Sequence, residues 1–295
     1  MRTDDRIRPT APPLSAWRRY LRRGARKMLP RSWLAAPGLG NLLGLGCSHG
    51  HALDRVGGLE VEYSLDSLIG QLLYLHGEFE EPEALFLESR LRARPGAVFM
   101  DIGANIGLHS LRAAGGESIG SVFAFEPGRA TFAMLERNIA RNGLSGKIRA
   151  YPQAIGAASG RAEFHFCADD AYSSLKPDRR RPVQQTYEVS VTTVDQWVQR
   201  EALARLDLVK IDVEGSEAEV IAGAQETLAR YRPELMVEVY QGARENFSAE
   251  GLVRKICAQG YDAFVLVAGK PVPFARHDDA HFNYHFRPRA GSESS

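Results

Sequence analysis

Short apolar stretches alternate with amphipathic helical stretches from about residue 95 onward. The strand-like stretches are AVFMDI, SVFAFE, KIRAYP, LDLVKID and ELMVEV, and the helical ones span residues 108–114, 129–141, 217–230 and 247–259. Strands that are joined by crossover helices run parallel, so the pattern predicts an α/β fold with a mostly parallel, doubly wound sheet. The closely spaced AFVLV and FNYHF add an antiparallel edge strand, and RAEFHF and TYEVSV predict hairpin or edge strands.

The 295 residues divide by composition into four parts. We expect residues 1–60 to be an irregular extension that is basic and rich in proline and glycine. Residues 61–94 are expected to form a helical lead-in, broken near Gly77 and Pro82. Residues 95–288 are expected to form the α/β domain, followed by a flexible tail at 289–295.

Charge is distributed unevenly along the chain. Residues 1–35 hold ten Lys/Arg and two acidic residues, whereas the other 260 residues hold 27 basic and 34 acidic ones. Aromatic residues lie among the arginines at residues 17–33, which suits peripheral contact with an anionic membrane. A solvated tail is the alternative, and we expect no nucleic-acid partner. The basic run Arg179–Arg181 could likewise admit an acidic ligand or be solvated.

Three features favour a cytoplasmic protein. No stretch reaches the roughly 18 to 20 apolar residues that a membrane span needs. The arginine-rich start does not resemble a signal peptide. The three cysteines are far apart and odd in number, as expected of a reduced protein.

The turn after the first strand of the α/β domain, within VFMDIGANIG, is the main candidate ligand site. It contains Asp101, Gly103, Ala104, Asn105 and Gly107. A dinucleotide fingerprint would need glycine where Asn105 and Leu108 stand, and a phosphate-binding loop would need a following Lys-Ser/Thr pair. Asparagine tolerates left-handed backbone angles, so the turn can be tight without making room for a pyrophosphate. A nucleoside without phosphates, S-adenosylmethionine (SAM), fits these constraints.

The second strand supplies the other half of the predicted cofactor site. Glu126, followed by Pro127, ends this strand, and its carboxylate suits two ribose hydroxyls. Asp101 would hold the ammonium group of the cofactor, directly or through water. Beyond the third strand, Gln153 or the backbone of Ala154 could contact adenine. Structural alternatives remain open, with Asp101 as a helix N-cap and Glu126 paired with an arginine.

These motifs resemble one family of enzymes. FMDIGANIGLHSL, VFAFEPGRATFAMLERNIARNG, AIGAASGRAEFHF and LDLVKIDVEGSEAEVI are similar to the FkbM-type SAM-dependent methyltransferases, over about residues 79–239. The resemblance implies a Rossmann-like class I methyltransferase fold. It also implies methylation of a hydroxyl oxygen on a sugar, polyketide or related metabolite.

Acidic residues beyond later strands are the candidates for the chemistry. Asp212 and Glu214 follow the strand LDLVKID, and Glu238 ends ELMVEV. They could bind the acceptor, act as general base or hold a divalent metal, while Asp212 could also contact the cofactor. Lys210 is expected to point outward or to pair with an acid, and His109 and Glu217 to be structural. The rival functions are a nicotinamide-dependent, sugar-modifying oxidoreductase and a non-catalytic protein that docks on a membrane or partner.

Overall fold

The computed structural model describes residues 50–167, 169–176, 182–241, 247–277 and 280–289. The expected membrane contact at residues 17–33 lies outside these ranges, and so does Arg179–Arg181. None of the described helices is both long and apolar enough to cross a bilayer.

The described chain contains thirteen strands and eight α-helices. The strands are β1 (His51–Val56), β2 (Leu59–Ser64), β3 (Ala97–Ile102), β4 (Ile119–Phe125), β5 (Ile148–Tyr151), β6 (Gln153–Ile155), β7 (Gly160–Cys167), β8 (Val183–Thr192), β9 (Leu208–Ile211), β10 (Glu234–Glu238), β11 (Tyr261–Val267), β12 (Lys270–Pro273) and β13 (Asn283–Pro288). The helices are α1 (Leu68–His76), α2 (Glu81–Arg92), α3 (Leu108–Gly115), α4 (Arg129–Arg141), α5 (Val194–Glu201), α6 (Glu217–Ala222), α7 (Gln225–Tyr231) and α8 (Ala249–Ala258).

The main sheet has eight strands in the order β12-β11-β13-β10-β9-β3-β4-β5. Strands β10, β9, β3, β4 and β5 are parallel, which confirms the predicted α/β fold with a mostly parallel sheet. The last strand, β13, is not at the edge, because it lies antiparallel between β10 and β11. The antiparallel edge strand is β12. Strand order reverses between β3 and β9, where ligands of such sheets bind.

Apolar side chains cover both faces of this sheet. On one face, α2, α3 and α4 pack over Phe99, Val122 and neighbouring residues. On the other face, α5 to α8 pack over Phe123, Phe125 and their neighbours. Trp197 of α5 is fully buried there, with its ring edge-on to Phe123 and Phe125 at 4.8 and 5.1 Å between centroids. Burial of such large rings is a main source of stability in a fold of this type.

A second sheet, of three strands in the order β6-β8-β7, follows the third strand of the main sheet. RAEFHF and TYEVSV are predicted to be hairpin or edge strands, and the structure shows them as the antiparallel pair β7 and β8. The predicted helix over residues 217–230 is instead two helices, α6 and α7, which are separated at Gly223 and Ala224. At Gly223, a β-carbon would lie 2.2 Å from the carbonyl oxygen of Gly156, so the chain passes too closely there for other residues.

The expectation of irregular chain up to residue 60 is wrong from His51 onward, because β1 and β2 form an antiparallel hairpin. Two asparagines, Asn138 of α4 and Asn142 at its C-terminal cap, fasten β2 to the domain. The side chain of Asn138 accepts a hydrogen bond from the Glu62 N–H and donates one to the Glu62 carbonyl, at 2.7 and 3.0 Å. Asn142 does the same with Glu60, at 2.9 and 2.8 Å. These amides satisfy the backbone groups of an otherwise unpaired strand edge.

Candidate active site

A cavity of about 670 Å³ lies at the carboxyl ends of β3, β4, β9 and β10, within the range of small-molecule sites. Most residues that the sequence nominated line it: Gly103, Asn105, Glu126, Pro127, Gln153, Ala154, Asp212, Glu214 and Glu238. They come from segments more than one hundred residues apart, which the parallel sheet brings to one edge.

Asp101, Ala104 and Gly107 are nominated residues that do not line the cavity. Asp101 is only 1% exposed, and its Oδ2 accepts a hydrogen bond from the Ser110 hydroxyl at 2.6 Å. Its carboxylate is therefore bonded to α3, and contact with the cofactor ammonium, directly or through water, stays a prediction. Asp101 is not an N-cap either, because Gly107 caps α3.

The turn after β3 passes so close to the backbone after β9 that its first glycine has no room for a side chain. Gly103 has a φ of 81°, and a β-carbon there would lie 1.7 Å from the carbonyl oxygen of Asp212. Asn105 has the left-handed angle that the sequence predicted, with a φ of 49°. Its side-chain Oδ1 accepts a hydrogen bond from the Ile106 N–H at 2.8 Å, which stabilises this strained residue.

Glu126 connects the tips of β3 and β4. Its Oε2 accepts a hydrogen bond from the Asn105 N–H at 2.9 Å. Its Oε1 accepts hydrogen bonds from the Gly128 N–H at 2.8 Å and the Thr131 hydroxyl at 2.7 Å. A carboxylate has about four acceptor positions. At least three are used by the protein, so the expected hydrogen bonds to two ribose hydroxyls would have to share these oxygens.

Asp212, Glu214 and Glu238 form an acidic cluster, in which one carboxylate oxygen from each lies within 4.8 Å of the others. The Lys210 ammonium, 4% exposed, lies 2.8 Å from Oδ2 of Asp212 and confirms the predicted pairing with an acid. Burial alone would favour a neutral lysine, but the charges of Asp212, Asp101 and Glu80 raise the Lys210 pKa. The cluster thus rests on a buried positive charge.

The two strand-end acids of this cluster have opposite shifts. Burial raises the pKa of Glu238 well above its usual value, and the charges of Asp212, Glu214 and Glu80 add to this effect. Burial also acts to raise the pKa of Asp212, but Lys210 and a hydrogen bond from Glu238 outweigh it and lower that pKa. Where the two carboxylates share one proton, these directions favour the proton on Glu238 and the charge on Asp212.

The loop after β9 presents this cluster to the cavity. Glu214 is held at a left-handed φ of 53°, followed by Gly215 at 110°. Glu217, 1% exposed, accepts a hydrogen bond from the Gly215 N–H at 2.7 Å, as expected of a structural residue. Three carboxylates are the ligand type of Mg²⁺ or Ca²⁺. Use of the cluster by a metal stays a prediction.

The model of the methyltransferase FkbM domain family matches residues 101–263. This chain belongs to the FkbM methyltransferase family.

The 2-O-methyltransferase NoeI of Sinorhizobium fredii is 31% identical over 156 residues, covering 48% of this chain and 63% of NoeI. The 31-O-demethyl-FK506 methyltransferase FkbM of Streptomyces tacrolimicus is 28% identical over 187 residues, covering 53% and 70%. The hexuronic acid methyltransferase AglP of Haloferax volcanii is 26% identical over 216 residues, covering 72% and 81%. The chain thus spans less than two thirds of NoeI.

One wall of the cavity precedes the FkbM-matched residues and was missed by sequence reasoning. We call it the lead-in wall, and it comprises the cavity-lining residues between Leu68 and Glu83, on α1, α2 and their connection. Within it, Oε2 of Glu80 lies 3.1 Å from Nε2 of His109, which is buried as expected. The run EFEEPE was the available signal, because four acids so close together rarely lie in a core.

Proposed function

We propose that this FkbM-family protein transfers the methyl group of SAM to a hydroxyl oxygen of a sugar, polyketide or related small metabolite. The observation that carries the proposal is the position of the acidic cluster, in the same cavity as Asn105 and Glu126 at the tips of β3 and β4. The printed names of NoeI and FkbM describe O-methylation, which supports oxygen as the methylated atom.

The residues of the cavity suit an adenosyl cofactor. When bound, SAM supplies an electrophilic methyl group on a positively charged sulfur. Gln153 lines the cavity, and among the described residues its buried Oε1 has no hydrogen-bond partner, so it can accept from an adenine amino group. Asn105 and Glu126 would contact the ribose, and acidic residues favour the cationic sulfur. Asp101 would act indirectly, by supporting the turn.

The acidic cluster would handle the proton of the acceptor. Methylation of a hydroxyl group would form an oxygen–carbon bond, break the sulfur–methyl bond of SAM to leave S-adenosylhomocysteine, and require the hydroxyl group to lose its proton. Asp212, whose pKa is lowered, would accept a hydrogen bond from the acceptor hydroxyl and then take its proton. The hydrogen bond between Glu238 and Asp212 would hold that carboxylate in place. Orientation of the two reactants by the cavity would supply most of the remaining acceleration.

Thermal-shift measurements test the cofactor. We expect SAM and S-adenosylhomocysteine to raise the melting temperature of the wild type and of the exposed-site control Glu136→Ala, but not of Glu126→Ala. A shift with NAD or NADP alone would contradict the proposal and favour an oxidoreductase. A folded protein that responds to none of the four ligands would favour a non-catalytic role.

A further inference from the structure

Acidic residues are distributed around the wall of the cavity. Four glutamates of the lead-in wall, Glu78, Glu80, Glu81 and Glu83, join the four acidic residues already described at the strand ends. No lysine or arginine lines the cavity among the residues that the structure describes. A ligand that enters therefore meets carboxylate oxygens from both the lead-in wall and the strand ends.

Two cations that the described chain pairs with acids of the cavity lie behind its wall. Arg112 is bonded to Glu81 at 2.6 Å and to Glu88 at 2.6 Å, and it does not line the cavity. Lys210 is bonded to Asp212 and is also outside the lining. These cations moderate the charge of the acids, but they offer no ammonium or guanidinium group to a bound ligand.

The remaining lining adds aromatic surface. Tyr240 and Phe282 lie edge to face with 6.2 Å between their ring centroids, and both line the cavity, as do Phe79 and Tyr172. Carboxylates accept hydrogen bonds from hydroxyl and ammonium groups, and aromatic faces attract cations. An anionic group would instead have to lose its water without gaining a lysine or arginine partner from the described lining residues, which is strongly unfavourable.

The lead-in wall also contains a residue with an unusual backbone angle, Glu80. Glu80 has a φ of 45° at the start of α2, where a capping residue is normally extended, and its side chain makes no capping hydrogen bond. Glu80, Asn105 and Glu214 are three of the six non-glycine residues with positive φ in the described chain, and all three line the cavity. Strain of this kind concentrates at functional sites.

We infer that the methyl acceptor is an uncharged or amine-bearing sugar, and that the lead-in wall excludes acceptors carrying a carboxylate or phosphate. The inference rests on the proposed function and narrows its acceptor. It also separates this chain from AglP, whose printed name specifies a hexuronic acid.

Three matched glucosides test the charge preference. The protein is saturated with S-adenosylhomocysteine, and binding of methyl glucoside, methyl glucosaminide and methyl glucuronide is measured by titration calorimetry and saturation-transfer NMR. We expect the better of the first two to bind at least about tenfold more tightly than the glucuronide, as like charges at close range require. Equal or tighter binding of the glucuronide would overturn the inference.

Substitution of glutamates in the lead-in wall tests whether their charges cause the discrimination against the glucuronide. In Glu78→Gln/Glu83→Gln, the discrimination against glucuronide should fall about three- to tenfold. Glu136→Gln, an exposed site on α4, should leave it unchanged. Glu80→Gln provides a second variant if the double substitution lowers the melting temperature. Unchanged discrimination in both wall variants would overturn the role of the lead-in wall.

Two further outcomes separate this inference from the proposed function. If S-adenosylhomocysteine binds but none of the glucosides does, the sugar acceptor is refuted while the cofactor assignment stands. If S-adenosylhomocysteine itself fails to bind, the methyltransferase proposal fails and the inference falls with it.

Discussion

The carboxylate of Glu126 accepts a hydrogen bond from the backbone N–H of Asn105 at 2.9 Å, and this bond joins the tips of β3 and β4. This hydrogen bond depends on the left-handed backbone angle of Asn105, which sets the direction of its N–H group. In Asn105→Gly the angle is easily adopted, so we expect unfolding free energy to change by less than about 1 kcal/mol. In Asn105→Val, a β-branched residue must adopt the same angle, and we expect the unfolding free energy to fall by about 2 kcal/mol. The binding of S-adenosylhomocysteine should also weaken. Urea unfolding and calorimetry measure both effects, and equal behaviour of the two variants would refute this account.

The close approach of Gly103 to Asp212 predicts a large effect of one methyl group. Gly103→Ala places a β-carbon where the Asp212 carbonyl oxygen lies, so the tip of β9 must move. We expect a loss of more than about 3 kcal/mol in unfolding free energy, together with loss of cofactor binding. Gly143→Ala is the matched control, since Gly143 also has a positive φ of 65° but has nothing within 4 Å of the added carbon. That control should lose only about 1 kcal/mol, and similar losses in both variants would show that strain alone matters.

The buried Lys210 and the half-buried Asp212 should be strongly coupled. Lys210→Met leaves the Asp212 charge without its partner, and we expect unfolding free energy at pH 7 to fall by about 3 to 5 kcal/mol. Lys210→Met/Asp212→Asn should recover a substantial part of this loss, because no isolated charge remains. A double-mutant cycle by chemical denaturation gives the coupling energy. Additive losses would mean that the pair does not hold the carboxylate as described.

His285 should make the fold sensitive to mild acid. Its side chain is buried beside Phe86, and burial, with the charge of Arg287, lowers its pKa to about 4. The unfolded chain, with an ordinary histidine pKa, takes up this proton first as pH falls. The stability contribution is therefore complete above about pH 6.5 and is lost between there and about pH 4, a change of about 3 kcal/mol.

His285→Phe tests this sensitivity, because it keeps a ring against Phe86 and removes the titrating group. Denaturation curves between pH 4 and 7 should show a flatter profile for the variant than for the wild type. Parallel profiles would show that other groups cause the loss of stability in acid.

Local sequence signals were sufficient for the parallel sheet and for the turn at Asn105. Strand and helix periods, and the tolerance of asparagine for left-handed angles, depend only on neighbouring residues. The same kind of signal was present but overlooked at Gly57-Gly58, which stand between two alternating stretches and are typical of a two-residue hairpin turn. The hairpin at His51–Ser64 was therefore predictable.

Other features depend on distant parts of the chain. That Asp101 ends a strand was clear, but the sequence did not reveal that Ser110 covers its carboxylate below the turn. Likewise, the run EFEEPE indicates that Glu80 lies outside a core, but it does not indicate that Glu80 shares a cavity with Asp212 and Glu238. Insertion of β13 between β10 and β11 also follows from long-range pairing rather than from local pattern.

The amides of Asn138 and Asn142, which hold β2, have a consequence for protein engineering. The unit recognised by homology, residues 101–263, is smaller than the unit that folds. A fragment cut at those borders would lack β1, β2 and β13. The side of α4 that packs against β2 would be exposed, and β10 and β11 would lose the strand between them. Chimaeras that exchange acceptor preferences within the family should therefore place their crossovers before His51 and after Pro288.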